Sequence, residues 1–99
     1  MKIEITQTKD TVVAVIAGRL DTVTSPELEK AVTPLIEVGG TVIFNCEKME
    51  YISSAGLRVV LSTHKQCAAS GGRFIVRNLT SEVKSVFDMT GFSRLLTIE

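Results

Sequence analysis

The sequence is poor in the residues on which several functions depend. Its 99 residues include no Trp, one Tyr, one His and two Cys. With so few aromatic residues to stack on bases, a platform for single-stranded nucleic acid is not expected. Cys46 and Cys67 are too far apart for a CxxC pair or a tetrahedral zinc site, so we expect two reduced, mostly buried thiols. His64 has no second histidine or cysteine pair nearby, which favours a packing or surface role over metal ligation.

Excess charge and long apolar runs are also absent. Lys and Arg number eleven, as do Asp and Glu, so the formal net charge is zero. A nucleic-acid-binding domain normally has a basic excess, and binding to an anionic membrane needs a basic cluster. No apolar run approaches the roughly 20 residues that span a bilayer, and the first residues lack the apolar segment of a secretion signal. We therefore expect a cytoplasmic protein with no nucleic-acid partner and no direct membrane insertion.

Motifs for catalysis and cofactor binding are missing as well. The sequence contains no GxxxxGK[ST] loop, no GxGxxG after a strand, no HExxH and no GxSxG. A single histidine makes a Ser-His-Asp triad hard to assemble, and no spacing of carboxylates singles out an acid–base pair. The chain is therefore expected to be a binding module, with no catalytic residue, no metal and no cofactor.

Periodicity and composition predict one α/β domain over residues 1–99. Hydrophobic residues make up 44% of the chain, which is enough for one modest core at this length. Alternating or short apolar runs predict strands at residues 3–8, 12–17, 41–45, 73–77 and 95–98. Apolar stripes that end at glycines predict three main helices between the later strands. The order β-β-α-β-α-β-α-β predicts a mixed sheet with an N-terminal antiparallel hairpin.

Local signals add detail to this prediction. The apolar run at residues 12–17 predicts a strand buried on both faces. Ser25 followed by Pro26 predicts an N-cap and the first helical residue, and Pro34 predicts a kink or a broken last turn. Thr80 or Ser81 is expected to cap the third helix. In the second helix the predicted apolar stripe is Leu57, Val60, Leu61, His64 and Ala68.

The segment at residues 51–57 combines small and hydroxyl-bearing residues between a strand and a helix. One of its two serines is expected to be an N-cap, which stabilises a helix by about 1 kcal/mol. Two consecutive serines followed by Ala55 and Gly56 exceed what a cap requires, and small side chains let another chain approach the backbone closely. The residues alone leave open a cap and a docking or kinase-accessible site.

Ile52-Ser53-Ser54-Ala55-Gly56-Leu57 closely resembles the central motif of the STAS domain, shared by bacterial anti-sigma-factor antagonists and sulfate transporters. In the antagonists this motif usually reads Asp-Ser-Ser/Thr/Ala-Gly-Leu, and the serine after the aspartate is phosphorylated. Placing residues 56–57 on the Gly-Leu of the motif puts the phosphorylated serine at Ser54. Ser53 then replaces the aspartate and becomes a competing phosphorylation site.

Other segments extend the resemblance over essentially the whole chain. Gly18-Arg19-Leu20-Asp21 resembles the family's Gly-x-Leu/Ile-Asp turn, in which the Asp lies near the phosphorylation site, although Arg19 stands where an acid is common. Gly71-Gly72 before a strand and Phe87-Asp88-Met89-Thr90-Gly91 resemble two later family segments. Simpler roles stay open for individual residues: Asp21 could cap a turn, Gly56 could serve close packing, and Arg58 could be solvated or could contact a partner or the phosphate.

The resemblance implies an anti-sigma-factor antagonist that works by partner switching. Unphosphorylated protein would bind an anti-sigma factor that is also a serine kinase and so release the sigma factor. The kinase would use ATP and Mg²⁺ to phosphorylate Ser54, and a protein phosphatase would reset the switch. The partner-binding residues implied are Asp21, Ser53, Ser54, Ala55, Gly56, Leu57 and Arg58. The alternative is a constitutive STAS accessory subunit of a transporter or larger signalling assembly, in which Ser54 is only a cap.

Overall fold

The computed structural model describes all 99 residues and contains one six-stranded sheet and four α-helices. The strands are β1 (Lys2–Thr8), β2 (Thr11–Leu20), β3 (Thr41–Asn45), β4 (Met49–Ile52), β5 (Arg73–Arg77) and β6 (Thr97–Ile98). The helices are α1 (Ser25–Val32), α2 (Ser54–Ala69), α3 (Ser81–Thr90) and α4 (Phe92–Leu95), with a 3₁₀ helix at Thr33–Leu35. The predicted α/β class, mixed sheet, N-terminal hairpin and three main helices are confirmed, and β4 and α4 are additions. None of the helices is both long and apolar enough to cross a membrane.

The strand β2 pairs with three other strands of the sheet. The order is β1-β2-β3-β5-β6, with β1 antiparallel to β2 and the other pairs parallel. β4 pairs with residues 18–20 of β2, beyond the part of β2 that pairs with β3. The register shifts after Gly18, whose φ of 92° lies in the left-handed region that glycine adopts without strain. This irregularity lies where the pairing of β2 passes from β3 to β4.

Helices cover one face of the sheet. Val12, Ala14 and Ile16 of β2 are at most 3% exposed and belong to one apolar cluster that includes the buried apolar residues of α1, α2 and α3. Val13 and Val15 point to the opposite face, are half-buried and lie outside that cluster. The prediction that β2 is buried on both faces is therefore wrong, because the helices pack against one face and burial along the strand alternates.

The first helix starts one residue before the predicted position, and it ends just before Pro34, as the sequence predicts. Thr24 is the N-cap and Ser25 is the first helical residue, because the backbone already turns at residue 21 and the Ser25 amide donates to the Asp21 carbonyl at 2.9 Å. α1 ends at Val32, and Pro34 lies in the 3₁₀ helix that follows. The predicted broken last turn is confirmed, since proline has no N–H to continue the α-helical pattern.

The buried face of α2 is rotated from the predicted stripe. Leu57 and Val60 are buried as expected, but Ala68 is exposed and Thr63 and Cys67 are buried in its place. Thr63 is tolerated there because its hydroxyl donates to the Val59 carbonyl at 2.9 Å. The buried face of the helix also includes Val59, which lies outside the predicted stripe.

The histidine and the two cysteines lie in packed surroundings. His64 is half-buried, with its ring centroid 6.4 Å from that of Phe74. Cys46 and Cys67 are both free and buried, as expected. Burial raises the pKa of Cys46 to about 12, so this thiol stays protonated and unreactive at neutral pH.

Candidate functional site

The two segments predicted to form the site lie side by side at one end of the sheet. β2 and β4 are parallel and Leu20 pairs with Ile52, so Asp21 and Ser53 follow adjacent strand ends. The Ser53 amide donates to the Leu20 carbonyl oxygen at 2.9 Å. Residues 21–25 are called the Asp21 turn and residues 53–57 the serine turn below. Their position matches the general rule that ligands bind beyond the carboxyl ends of parallel strands.

Ser53 is the residue that caps α2. Its backbone is extended, with φ −96° and ψ 176°, and its hydroxyl oxygen accepts a hydrogen bond from the Gly56 amide at 3.3 Å. Asp and Ser are both favoured at this position, because each offers an oxygen to the first free amides of the helix. A serine in place of the aspartate of the STAS motif therefore keeps the cap and removes one negative charge from the serine turn.

Ser54 is the first residue of α2 and is exposed. Its hydroxyl makes no hydrogen bond within the chain, and the amides of Ser54 and Ala55 have no acceptor in the caps and loops. The first amides of a helix lack an intrahelical partner and favour negative charge nearby. The hypothesis that Ser54 serves only as the cap is thus wrong, since Ser53 fills that role.

The carboxylate of Asp21 is used by its own turn. Its Oδ1 accepts hydrogen bonds from the amides of Val23 at 3.0 Å and Thr24 at 3.1 Å, and from the Thr24 hydroxyl at 3.1 Å. Its Oδ2 lies 3.8 Å from Nε of Arg19. The Thr24 amide, helped by the Thr24 hydroxyl, the Val23 amide and the charge of Arg19, holds the pKa of Asp21 below its ordinary value of 3.8. Asp21 is an ionised cap of its turn at neutral pH.

Gly56 fixes the distance between the two turns. A Cβ at this position would lie 2.8 Å from the Leu20 carbonyl oxygen and 2.8 Å from Cγ1 of Ile52, closer than side chains tolerate. Gly56 and Leu57 are both buried, and Leu57 is only 8% exposed within the core. Gly56 and Leu57, which were predicted to bind the partner, therefore shape the serine turn from inside. Of the other predicted partner-binding residues, Ala55 is half-buried and Arg58 is exposed.

An arginine–tyrosine contact beside the site was missed by sequence reasoning. The Arg19 guanidinium lies 4.1 Å from the centre of the Tyr51 ring, and the two residues are paired between β2 and β4. β4 has only four residues, with Met49 and Ile52 buried and the two between them exposed, so it shows no alternation. The apolar residues at its two ends, Met49 and Ile52, were the one feature of the sequence that could have indicated this strand.

A groove between α1 and α2 opens beside the serine turn. It has a volume of about 390 Å³ and is lined by Thr22, Ser25, Pro26, Glu29, Ala55, Arg58, Val59 and Ser62. Val23, in the adjacent Asp21 turn, is 76% exposed. The surface around Ser54 thus offers a free hydroxyl, the apolar side chain of Val23 and the cationic side chain of Arg58. The carboxylate of the neighbouring Asp21 turn is already engaged in hydrogen bonds.

Known proteins resemble this chain over nearly its whole length. A profile of the STAS domain matches residues 2–99. The chain belongs to the STAS domain family. It is 28% identical over 98 residues to the anti-sigma-B factor antagonist of Bacillus subtilis, a match that covers 99% of this chain and 90% of that protein. It is 30% identical over 84 residues to the anti-sigma-B factor antagonist of Staphylococcus aureus, which covers 84% of this chain and 78% of that protein.

Solved structures show the same STAS fold. The unphosphorylated form of the anti-sigma factor antagonist SpoIIAA has a TM-score of 0.84 at 23% identity, over 99% of this chain and 88% of that chain. The phosphorylated form of SpoIIAA from Bacillus has a TM-score of 0.76 at 22% identity, over 99% and 91% of the two chains. The STAS resemblance of the sequence is confirmed.

Proposed function

We propose that this chain is an anti-sigma-factor antagonist whose binding is switched by phosphorylation of Ser54. The observation that carries the proposal is the division of roles between two adjacent serines. Ser53 caps α2, whereas Ser54 is exposed and its hydroxyl has no partner within the chain. The relatives named as anti-sigma-B factor antagonists support the class of partner.

The unphosphorylated protein binds an anti-sigma factor that is also a serine kinase, and this binding releases the sigma factor. The partner docks over the serine turn and the Asp21 turn, where the half-buried Ala55 leaves the backbone accessible. The exposed Val23 and Arg58 offer it one apolar and one cationic contact. The chain contributes no catalytic group, so it is a substrate and a ligand of its partner.

Phosphorylation transfers the γ-phosphoryl group of ATP to Oγ of Ser54. The hydroxyl oxygen attacks phosphorus, ADP leaves with Mg²⁺, and the hydroxyl proton passes to a base of the kinase. The new group adds about −1.5 to −2 charges at neutral pH. A protein phosphatase hydrolyses the phosphate ester and restores the binding form.

The fold tolerates the added charge better than the interface does. At the start of α2 a phosphate gains roughly 0.3–1 kcal/mol from the helix dipole, and the nearby Asp21 carboxylate opposes this gain. These effects are comparable, so the free energy of unfolding changes little. Against a close-fitting partner that offers no countercharge, a phosphate that loses its water costs several kcal/mol, which lowers affinity by orders of magnitude. Phosphorylation therefore switches binding while the fold stays nearly unchanged.

Ser54 is preferred over Ser53 as the acceptor because the two hydroxyls differ in availability. Ser53 is half-buried and its hydroxyl oxygen accepts a hydrogen bond from the Gly56 amide, so a phosphoryl group there displaces the cap. Phosphorylation of Ser54 disturbs no internal hydrogen bond. Ser53, the competing phosphorylation site, therefore has a structural role as the cap of α2.

The test is phosphopeptide mapping after incubation with the cognate kinase, together with the intact mass of protein from its own cells before and after phosphatase treatment. Ser54→Ala should abolish the modification. Ser53→Asn keeps a capping oxygen without a hydroxyl and should retain the modification at Ser54. Modification kept in Ser54→Ala and lost in Ser53→Asn would reverse the assignment, and protein that is never modified in its own cells would overturn the switch.

Capture of partners separates this proposal from a constitutive accessory subunit. An ATP-binding, kinase-like protein that is retained by the unphosphorylated chain and lost on phosphorylation supports the antagonist. A transporter ATPase retained by both forms supports the accessory subunit. The purified chain alone should hydrolyse no ATP, and turnover that scales with its concentration after repurification would contradict a pure binding role.

A further inference from the structure

Arg58 lies one helical turn beyond Ser54. Both residues belong to α2, which is regular over 16 residues, and both are exposed. Residues four apart on a helix share a face, with Cβ atoms about 5–6 Å apart. Helical side chains also lean toward the N-terminus, which directs Arg58 toward the serine turn. Within residues 54–61 no other side chain is charged.

The charge of Arg58 is not used elsewhere in the chain. Glu29 lines the same groove as Arg58, but the two side chains form no ion pair within 4.0 Å, and Arg58 belongs to none of the four ion pairs in the structure. Arg19, the other arginine at the site, is stacked on Tyr51 and contacts Asp21. Arg58 is therefore the uncommitted cation beside Ser54.

We infer that Arg58 is the internal receptor of a phosphoryl group on Ser54, so that phosphorylation also withdraws this cation from the docking surface. The inference rests on the proposed function, because it concerns the same phosphorylated serine. A guanidinium presents two parallel N–H groups that match two phosphate oxygens, a geometry that lysine lacks. In the unphosphorylated form a partner contacts the free Arg58 cation. In the phosphorylated form the charge of Arg58 is compensated by the phosphate, and the partner faces the negative charge that remains.

The full chain with phosphoserine installed at position 54 during synthesis tests this contact without any kinase. A pH titration followed by ³¹P NMR measures the second ionisation of the phosphate, whose pKa is about 6 when unperturbed. Arg58→Gln should raise that pKa by about 0.3–0.7 units, the shift expected from losing an exposed ion pair. Arg58→Lys should raise it by less, because a lysine keeps the charge but loses the paired donors.

Lys65→Gln is the matched control. Lys65 is exposed on the same helix, and the substitution removes the same charge. It lies eleven residues from Ser54, roughly 16 Å along the axis and beyond the screening length of about 8 Å in physiological salt. The pKa of the phosphate should stay unchanged in this variant.

Equal shifts in the two variants, or none in Arg58→Gln, would overturn the assignment of Arg58. Melting temperatures of the unphosphorylated variants should match that of the parent chain, since both side chains are exposed. Failure of the proposed function is detected by a different measurement, the intact mass of protein from its own cells, which would then show no phosphate. The titration decides the role of Arg58 in either case, because the phosphoserine is installed chemically.

Discussion

The Asp21 turn and the serine turn occupy equivalent places and use their polar groups differently. Each follows the end of one of two paired parallel strands, and each leads into a helix. In the Asp21 turn, one carboxylate oxygen accepts three hydrogen bonds from its own turn. In the serine turn, Ser53 provides the cap and Ser54 has no internal partner.

The two turns differ in which polar side-chain atoms remain free of internal hydrogen bonds, rather than in their position in the fold. Asp21 lies where a functional carboxylate is expected, yet its oxygens are committed to the amides of Val23 and Thr24 and to Arg19. Ser54 is free because its neighbour already satisfies the Gly56 amide. A pair of adjacent serines thus leaves one hydroxyl free at a helix start without loss of the cap.

The largest expected effect comes from separating the two turns. Gly56→Val forces side-chain atoms against the Leu20 carbonyl oxygen and Ile52, and should lower the free energy of unfolding by about 3 kcal/mol, the upper end for overpacking. Urea denaturation measures the loss. Ala68→Val, exposed on the same helix, introduces the same residue and should cost less than about 0.7 kcal/mol. Similar losses in the two variants would show that Gly56 does not join the turns.

The next largest effect is expected at the carboxylate of Asp21. Asp21→Ala removes the acceptor of three hydrogen bonds and should destabilise the chain at neutral pH. Asp21→Asn keeps an acceptor oxygen and removes the charge, so it should be milder. Urea midpoints of the three proteins, measured at the same pH, check this order.

The stability that the charge of Asp21 contributes should decrease as pH falls. Because the folded pKa of Asp21 is lower than 3.8, its charge contributes stability that is fully present above pH 3.8 and is lost as pH falls through the folded pKa. The difference in free energy of unfolding between the parent chain and Asp21→Asn should therefore narrow as pH falls below that value. A difference that stays constant between neutral pH and strong acid would contradict a role for the charge.

The sequence predicted the elements with strong local signals and missed those that depend on tertiary context. The strands Thr41–Asn45 and Arg73–Arg77 match their predicted bounds because each is a short apolar run ended by polar residues or glycine. β4 has four residues and is held by its pairing with β2, which no local pattern reveals. The Arg19–Tyr51 contact was missed for the same reason, since it exists only where these strands pair.

The sequence predicted that the two serines stand at a helix start, but not how they divide the hydrogen bonds there. Two consecutive serines are both good caps, and only the backbone angles and the Gly56 amide assign the cap to Ser53. The rotation of α2 against the sheet likewise buries Thr63 and Cys67 and exposes Ala68, which made the predicted apolar stripe partly wrong. The motif thus places these residues at a helix start, whereas only their hydrogen bonds distinguish them.

A smaller effect is expected from removing the cap of the serine turn. Ser53→Ala leaves the Gly56 amide without its acceptor and should cost about 1 kcal/mol. Ser53→Asp restores a capping oxygen and should recover most of that loss. Thermal melts at neutral pH measure both variants, and an alanine variant as stable as the parent would show that the 3.3 Å hydrogen bond contributes nothing.

The smallest effect on stability is expected at the residue to which we assign the largest effect on function. Ser54→Ala removes an exposed hydroxyl with no internal partner and introduces a good helix former, so the free energy of unfolding should stay within about 0.5 kcal/mol of the parent. Melting temperature and partner affinity are measured on the same samples, before and after treatment with kinase and ATP. Affinity of the parent chain should fall after treatment, whereas Ser54→Ala should keep its affinity throughout. A loss of stability as large as that of Ser53→Ala would remove the contrast between the two serines, because it would show that the Ser54 hydroxyl also holds the helix start together.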